Sequence, residues 1–153
     1  ETVDIGRDFT VLLDYAHNGI ALKSLMDSLR EYDPERLMLM FGCGGNRDRN
    51  RRFEMGKAAM ETADFIIVTS DNPRREDPGK IIEDITDVMK FCDKVILAIP
   101  DRKKAIQRAI AEGRRGDIIV IAGKGHETYQ IIGNETRHFD DREVILSCRE
   151  DRK

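Results

Sequence analysis

Short and almost continuously apolar runs recur along the chain, and polar or glycine-containing loops separate them. The runs cover residues 11–13, 37–41, 65–69, 95–99 and 117–122. Because their hydrophobic residues do not alternate with polar ones, we interpret them as strands that are buried on both faces. Such strands are typical of a parallel sheet that is covered by helices.

Between these runs, hydrophobic residues recur at the spacing of one face of a helix. The stripes comprise residues 22, 25, 26 and 29; residues 81, 82, 85, 88 and 89; and residues 106, 109 and 110. Each stripe predicts an amphipathic helix. Aspartates stand where three helices are expected to begin, and their carboxylates suit the N-cap position: Asp77 before Pro78, Asp101, and Asp140 or Asp141.

Alternation of strands and helices at this spacing indicates right-handed β-α-β units. We therefore predict an α/β fold: a Rossmann-like, mostly parallel sheet of about six strands flanked by helices. Near the C-terminus, residues 129–132 and 137–139 flank a Gly133–Asn134 turn and predict a hairpin that adds an antiparallel edge. A last helix is expected from about residue 141 to residue 149.

Composition and charge narrow the class of protein. The chain has 153 residues, of which 40% are hydrophobic, so one compact domain is expected. Its net charge of −3 provides no field that would gather nucleic acid or an anionic membrane. No apolar run approaches the roughly 20 residues that span a bilayer. The first residue is Glu1, and we expect the chain to be a fragment of a longer protein.

The cysteines indicate the compartment. Cys43, Cys92 and Cys148 are an odd number at wide spacing, with no CxxC pair. This arrangement argues against a disulfide framework and against a zinc site. A reducing cytoplasm is the expected location.

Four of the predicted strands are followed by unusual loops, which comprise residues 14–19, 42–48, 71–74 and 123–127. In open α/β sheets, ligands bind beyond the carboxyl ends of the strands. Each loop also has an ordinary structural interpretation: glycines serve tight turns, aspartates cap helices, and a single histidine is more often hydrogen-bonded than catalytic. Because all four loops are expected at one edge of the sheet, we predict a binding site there.

The loops carry five sequence motifs in a fixed order: DYAHN, FGCGGNRDRNRR, TSDNPRREDP, IAGKGHETYQ and HFDDREV. In order and spacing they resemble the C-terminal domain of the Mur ligases, over essentially the whole chain. The resemblance is strongest to the branch that adds the third residue of the peptidoglycan stem peptide. It implies that residues 1–153 form a single domain of a longer three-domain enzyme. One departure is Gly19, because the family usually has proline after DYAHN.

The resemblance also implies a chemistry. Mur ligases use ATP and Mg²⁺ to phosphorylate a carboxylate of a UDP-linked muramoyl peptide, and the amine of an incoming amino acid attacks this acyl phosphate. The family's N-terminal and central domains hold the UDP-sugar, the phosphates and the metal ion. We therefore expect no catalytic residue and no metal ligand in this chain, and no activity from it in isolation. The expected partners of the intact enzyme are ATP, meso-diaminopimelate, UDP-MurNAc-dipeptide and the enzyme's own N-terminal and central domains.

In the family, the DNPR motif marks enzymes whose acceptor is meso-diaminopimelate. The resemblance assigns six residues to this ligand: Arg47, Asp71, Asn72, Arg74, Gly123 and Glu127. Arg74 would bind the distal carboxylate with the support of Asn72. The acidic residues and the Gly123 carbonyl would take the distal ammonium, and Arg47 would bind a carboxylate of the same ligand.

The first loop has a separate role in the resemblance, because Asp14, His17 and Asn18 match the segment that closes over ATP. For Lys124 two interpretations remain open, steering of a carboxylate or phosphate and an ordinary solvated loop lysine. Two alternatives to the whole assignment also remain open. One is a related ligase that adds lysine or glutamate, and the other is a free-standing module that binds a nucleotide or an amino acid.

Overall fold

A computed structural model describes residues 1–149 of the chain. Its strands are β1 (Thr2–Val3), β2 (Thr10–Asp14), β3 (Leu37–Phe41), β4 (Phe65–Val68), β5 (Val95–Ala98), β6 (Ile118–Ala122), β7 (Tyr129–Ile132) and β8 (Glu135–His138). Its helices are α1 (Gly19–Arg30), α2 (Asn50–Thr62), α3 (Pro78–Asp87), α4 (Arg102–Glu112) and α5 (Asp141–Ser147).

Six strands form one sheet in the order β1-β2-β6-β3-β4-β5, and all neighbours except β1 and β2 are parallel. The predicted mostly parallel α/β fold is therefore confirmed. The predicted hairpin also forms, as β7 and β8, but it is a separate two-stranded sheet. The antiparallel edge strand is β1 instead, which the sequence pattern did not predict because it is only two residues long.

Consecutive residues of a strand point to opposite faces of the sheet, and both faces are covered. In β3, Leu37, Leu39 and Phe41 pack with α1, α2 and α3, whereas Met38 and Met40 pack with α4 and α5. This two-sided burial accounts for the unbroken apolar run. The prediction of burial on both faces is wrong for β5, where Val95 is 50% exposed, because this strand lies at the edge of the sheet.

Side-chain caps begin most of the helices. Asp77, Asp101 and Asp140 accept hydrogen bonds from the backbone of α3, α4 and α5, which confirms the predicted starts. Helix α2 was not predicted, and its N-cap residue makes no side-chain capping bond. Its buried face is narrow, and the first polar turns conceal the helical spacing of Met55, Ala58, Ala59 and Thr62. No helix within residues 1–149 has the length and apolar character needed to cross a membrane.

A buried ion pair fixes the carboxyl ends of two central strands. The side chains of Arg102 and Asp141 are both 0% exposed, with Nη2 and Oδ2 2.7 Å apart. Arg102 also donates to the backbone carbonyls of Ser70 at 2.9 Å and Ala122 at 3.2 Å. Burial disfavours the charged guanidinium, but the Asp141 carboxylate outweighs this and raises the pKa of Arg102. Arg102 thus aligns the loops that follow β4 and β6.

Candidate functional site

A single cavity of about 310 Å³ lies over the carboxyl ends of β6, β3 and β4, which are adjacent in the sheet. Its walls come from all four loops that the sequence analysis selected. All six residues that were predicted to bind diaminopimelate line it, and so does His17 of the three predicted to contact ATP. The full lining comprises Tyr15, His17, Gly42, Cys43, Gly44, Arg47, Arg51, Asp71, Asn72, Arg74, Gly123, Glu127 and Tyr129.

The loops after β3 and β4 are in direct backbone contact. Gly45 N donates to Asn72 O at 2.8 Å, and a Cβ at Gly45 would lie 1.9 Å from the carbonyl oxygen of Pro73. Only glycine permits this approach. Glu76 also fastens the two loops, because it accepts from the backbone of Asn46 at 2.5 Å and from the buried Arg52 at 2.7 Å. The Arg52 guanidinium lowers the pKa of the Glu76 carboxyl.

Arg74 is held in an unusual backbone conformation with one edge of its guanidinium left open. Its φ of 53° lies in the left-handed region. Two backbone hydrogen bonds to the hairpin hold it there: Arg74 N donates to Ile131 O at 3.0 Å, and Arg74 O accepts from Gly133 N at 2.6 Å. Nη1 donates to Gly45 O at 2.9 Å. Nε and Nη2 donate to no atom of residues 1–149, so this edge of the planar fork is available for a carboxylate.

Lys124 lies between the two acidic residues of the cavity. Its side chain is 0% exposed, and Nζ lies 3.4 Å from Asp71 Oδ1 and 3.5 Å from Glu127 Oε2. Nζ also donates to Asn72 Oδ1 at 2.9 Å and to Tyr129 O at 2.8 Å. Both sequence-based interpretations of Lys124 are therefore wrong. The ammonium is not solvated, and it is committed to the protein rather than free to steer a ligand.

Asp71 and Glu127 form an acidic wall of the cavity, and this wall keeps an unused hydrogen-bond acceptor. Glu127 Oε2 is buried and has no hydrogen-bond partner among the described residues. The negative charge of Glu127 raises the pKa of the neighbouring Tyr15 hydroxyl, and the partial burial of that hydroxyl adds to the rise. Asp71 is close to the Gly123 backbone, since a Cβ at Gly123 would lie 3.2 Å from Asp71 Oδ2. The arrangement suits a ligand group that is positively charged and donates several hydrogen bonds.

Positively charged side chains line the cavity as well. Arg47 and Arg74 both flank Gly44, and the exposed Arg47 donates to Asn46 O at 3.0 Å. Arg51 also lines the cavity, and the sequence analysis did not select it. The available signal was its position in the arginine-rich FGCGGNRDRNRR motif, four residues after Arg47. The cavity is thus lined by both positively and negatively charged side chains.

The three residues predicted to contact ATP are engaged mainly within their own loop. Asp14 Oδ2 accepts from Ala16 N at 2.8 Å, and Asn18 Oδ1 caps α1 by accepting from Ala21 N at 2.8 Å. His17 Nδ1 lies 2.9 Å from the backbone carbonyl of Tyr15. The structure places His17 in the cavity with the other predicted residues, whereas Asp14 and Asn18 lie beside it and do not line it.

Gly19, where the sequence departs from the Mur ligase pattern, is buried at the start of α1. A Cβ at this position would lie 2.9 Å from Glu54 Cβ on α2. Glycine therefore allows α1 and α2 to approach closely, and the cap on Asn18 retains the helix start without proline.

Comparisons with known proteins agree with the geometry. Residues 1–125 match a family model described as "Mur ligase, glutamate ligase domain". A protein of Solibacter usitatus named "UDP-N-acetylmuramoyl-L-alanyl-D-glutamate--2,6-diaminopimelate ligase" is 50% identical over 144 residues, which is 94% of this chain and 29% of that protein. A Geobacillus thermodenitrificans protein of the same name is 44% identical over the full chain and 31% of its own length. The chain thus spans less than a third of these relatives.

The solved structures give the same picture. A structure of a protein with that same name superimposes with a TM-score of 0.92 at 38% identity, over 97% of this chain and 30% of the other. A UDP-N-acetylmuramate-alanine ligase from Thermotoga maritima shares the fold, with a TM-score of 0.61 at 18% identity over 95% of this chain and 27% of the other.

Proposed function

Because this chain belongs to the Mur ligase family, we propose that it is the acceptor-binding domain of an ATP-dependent ligase that adds meso-diaminopimelate to UDP-MurNAc-dipeptide. The product is a precursor of peptidoglycan, and the enzyme works in the bacterial cytoplasm. The observation that carries the proposal is that side chains of both charges line one cavity. Arg74, whose guanidinium has an open edge, lines it together with the acidic residues Asp71 and Glu127.

The chemistry of the acceptor matches this combination of charges. The far end of meso-diaminopimelate carries one ammonium and one carboxylate, so its recognition needs a fixed cation and fixed anions a few ångströms apart. Arg74 offers Nε and Nη2 for a bidentate bond to the distal carboxylate. Asp71, Glu127 and the Gly123 carbonyl accept hydrogen bonds from the distal ammonium. Asn72 supports the carboxylate, and Arg47 binds the carboxylate beside the reacting amine.

Discrimination against lysine follows from the same contacts. Lysine has the distal ammonium but no distal carboxylate, and it would leave the open edge of Arg74 without a partner. An unmade hydrogen bond at a partly buried charged group costs several kcal/mol, which corresponds to roughly 10²–10⁴-fold in kcat/KM.

The nucleotide occupies the side of the cavity that the first loop forms. His17 lines the cavity and fits this role, since within residues 1–149 only its Nδ1 is committed to the backbone. Asn18 keeps its amide nitrogen and Asp14 keeps one carboxylate oxygen for the ribose or phosphates. Bound ATP with Mg²⁺ supplies the phosphoryl group that activates the peptide carboxylate. The residues of this chain bind and orient the acceptor amine, and the N-terminal and central domains of the enzyme provide the remaining groups.

The test is acceptor-dependent phosphate release by the intact protein with ATP, Mg²⁺ and UDP-MurNAc-dipeptide. We expect kcat/KM for meso-diaminopimelate to exceed that for L-lysine by roughly 10²-fold or more. Equal or greater use of L-lysine or D-glutamate would instead identify a related ligase. Residues 1–153 alone are expected to be inactive, and tight binding of ATP by this isolated chain would support a free-standing nucleotide-binding module.

A further inference from the structure

We propose that Lys124 is a positioning residue of the acceptor site. Its buried ammonium orients Asn72 so that the amide nitrogen faces the ligand's distal carboxylate, and it leaves the acidic wall with one net negative charge for one ligand ammonium. This inference rests on the proposed function and adds a residue that determines selectivity without touching the acceptor.

The contacts of Lys124 show that it acts as a fixed internal cation. The side chain is 0% exposed, and a buried charge is tolerated only when it is paired and hydrogen-bonded. A lysine has three N–H donors. Two of them are used on neutral oxygens, Asn72 Oδ1 and Tyr129 O, at 2.9 Å and 2.8 Å. The carboxylates of Asp71 and Glu127 lie within ion-pair distance of the same Nζ, at 3.4 Å and 3.5 Å.

The orientation of the Asn72 side chain follows from these donors. Its Oδ1 accepts from Lys124 Nζ at 2.9 Å and from the backbone N–H of Ile131 at 3.0 Å. Neither group can accept a hydrogen bond in return. A reversed amide would place Nδ2 against two donors, so the oxygen must remain on the lysine side. Asn72 is only 5% exposed and lines the cavity, and its Nδ2 donates to no atom of residues 1–149.

The available donor therefore lies on the cavity side, in the same short loop as Arg74. Together the two residues present three or more N–H groups to a carboxylate, which is the group that lysine lacks at its far end. Lys124 thereby sets the preference for diaminopimelate through Asn72.

The charges of the acidic wall lead to the same preference. Asp71 and Glu127 contribute two negative charges and Lys124 contributes one positive charge, which leaves a net charge of −1. One ligand ammonium balances this charge. Removing the Lys124 charge would leave a net charge of −2, which favours an acceptor whose far end is purely cationic. Loss of Lys124 thus weakens diaminopimelate binding and relatively favours lysine.

The experiment is a kinetic comparison of Lys124→Met with the wild type in the intact protein, using meso-diaminopimelate and L-lysine as acceptors. We expect KM for meso-diaminopimelate to rise about 10–100-fold, as for a lost hydrogen bond to a charged group. The KM for ATP should stay within about twofold, and the ratio of kcat/KM for diaminopimelate over lysine should fall about tenfold or more. A purely structural role would reduce the use of both acceptors and of ATP in parallel.

Lys94→Met is the matched control. Lys94 Nζ also donates to a backbone carbonyl, that of Met60 at 2.6 Å, but it does not line the cavity. This substitution removes a charge and a hydrogen bond of the same kind, and we expect it to leave the acceptor ratio unchanged.

A second variant tests the inference even if Lys124→Met does not fold. In Asn72→Asp a carboxylate still accepts from Lys124 and Ile131, but the donor that faces the cavity is lost. We expect the thermal unfolding of this variant to be close to that of the wild type, with the same loss of preference for diaminopimelate. If the wild type does not use diaminopimelate, the proposed function is wrong. If the wild type uses it and the folded variants keep its preference over lysine, only the role of Lys124 is overturned.

Discussion

Two parts of the cavity are built in different ways: the acceptor side, formed by the loops at residues 42–48, 71–74 and 123–127, and the nucleotide side, formed by the loop at residues 14–19. These names follow the proposed ligands. The acceptor side is held by contacts between loops that are far apart in sequence, such as Lys124 with Asn72 and Arg74 with Gly45 and Ile131. On the nucleotide side, the side chains of Asp14, His17 and Asn18 make hydrogen-bond contacts with the backbone of residues two or three apart, such as Asn18 with Ala21.

The difference indicates how each side works. Lys124 is 0% exposed, whereas Tyr15 is 54% exposed and Ile20, at the start of α1, is 87% exposed. The residues proposed for the acceptor are therefore held in place by contacts within this chain. The loop proposed for the nucleotide is more exposed, and we expect another domain to complete this site, as is common where closure of domains assembles a site.

The strongest test of this difference is Arg74→Lys in the intact protein. A lysine cannot reproduce the bidentate fork, so we expect kcat/KM for meso-diaminopimelate to fall by roughly 10²–10⁴-fold. The KM for ATP should change little, because the substitution lies on the acceptor side. The neighbouring Arg75→Lys is the control, since its exposed side chain does not line the cavity. Near-normal kinetics for Arg74→Lys would remove Arg74 from the site.

The next effect concerns the rigidity of the acceptor side. Asp141→Asn would leave the buried Arg102 guanidinium without its counter-ion, and we expect the free energy of unfolding to drop by about 3–5 kcal/mol. Because Arg102 holds the carbonyls of Ser70 and Ala122, the KM for the acceptor should rise more than the KM for ATP. Chemical denaturation and steady-state kinetics measure these two effects. An unchanged stability would show that the pair does not brace the loops.

A smaller effect is expected on the nucleotide side. Asn18→Ala removes the cap of α1 and should cost about 1 kcal/mol of stability. Asp101→Ala is the matched control, because it removes the cap of α4, away from the cavity, at a similar cost. If Asn18 contacts ATP, only Asn18→Ala also raises the KM for ATP. Equal behaviour of the two variants would leave Asn18 with a capping role alone.

The smallest effect concerns the hairpin, outside both sides of the comparison. His138 Nε2 lies 2.9 Å from Glu143 Oε2, and this hydrogen bond raises the pKa of the imidazole above its ordinary value. The folded-state pKa is the higher one, so the stabilising contribution is complete below the unfolded pKa and is lost as pH rises through the folded pKa. An NMR titration should show the raised midpoint, and Glu143→Gln should return it toward the ordinary value. Acceptor selectivity should be insensitive to Glu143→Gln.

The fold was largely predictable because its main signals are local. The run at residues 37–41 gave β3 directly, since a strand covered on both faces has no polar positions. Strand β1 and helix α2 were not predicted, because two residues carry no pattern and because α2 is marked by few apolar positions. Val95 was predicted to be buried because sequence alone does not say which strand forms the edge.

The site was predictable to a different extent. The motifs selected six residues as candidates for binding the acceptor, and the structure brings all six of them to one cavity. The burial of Lys124 was not predictable, because it depends on the hairpin placing the Tyr129 carbonyl beside the ammonium. The commitment of Asn18 to α1 was equally hidden, since a capping asparagine and a ligand-binding asparagine look the same in sequence.

The central claim is that one cavity binds both charges at the far end of the acceptor. A crystal structure of the intact protein with meso-diaminopimelate tests it most directly. We predict the distal carboxylate on Nε and Nη2 of Arg74 and the amide nitrogen of Asn72, with the distal ammonium against Asp71 and Glu127. A ligand bound with these groups facing away from Arg74, or bound outside this cavity, would contradict the account.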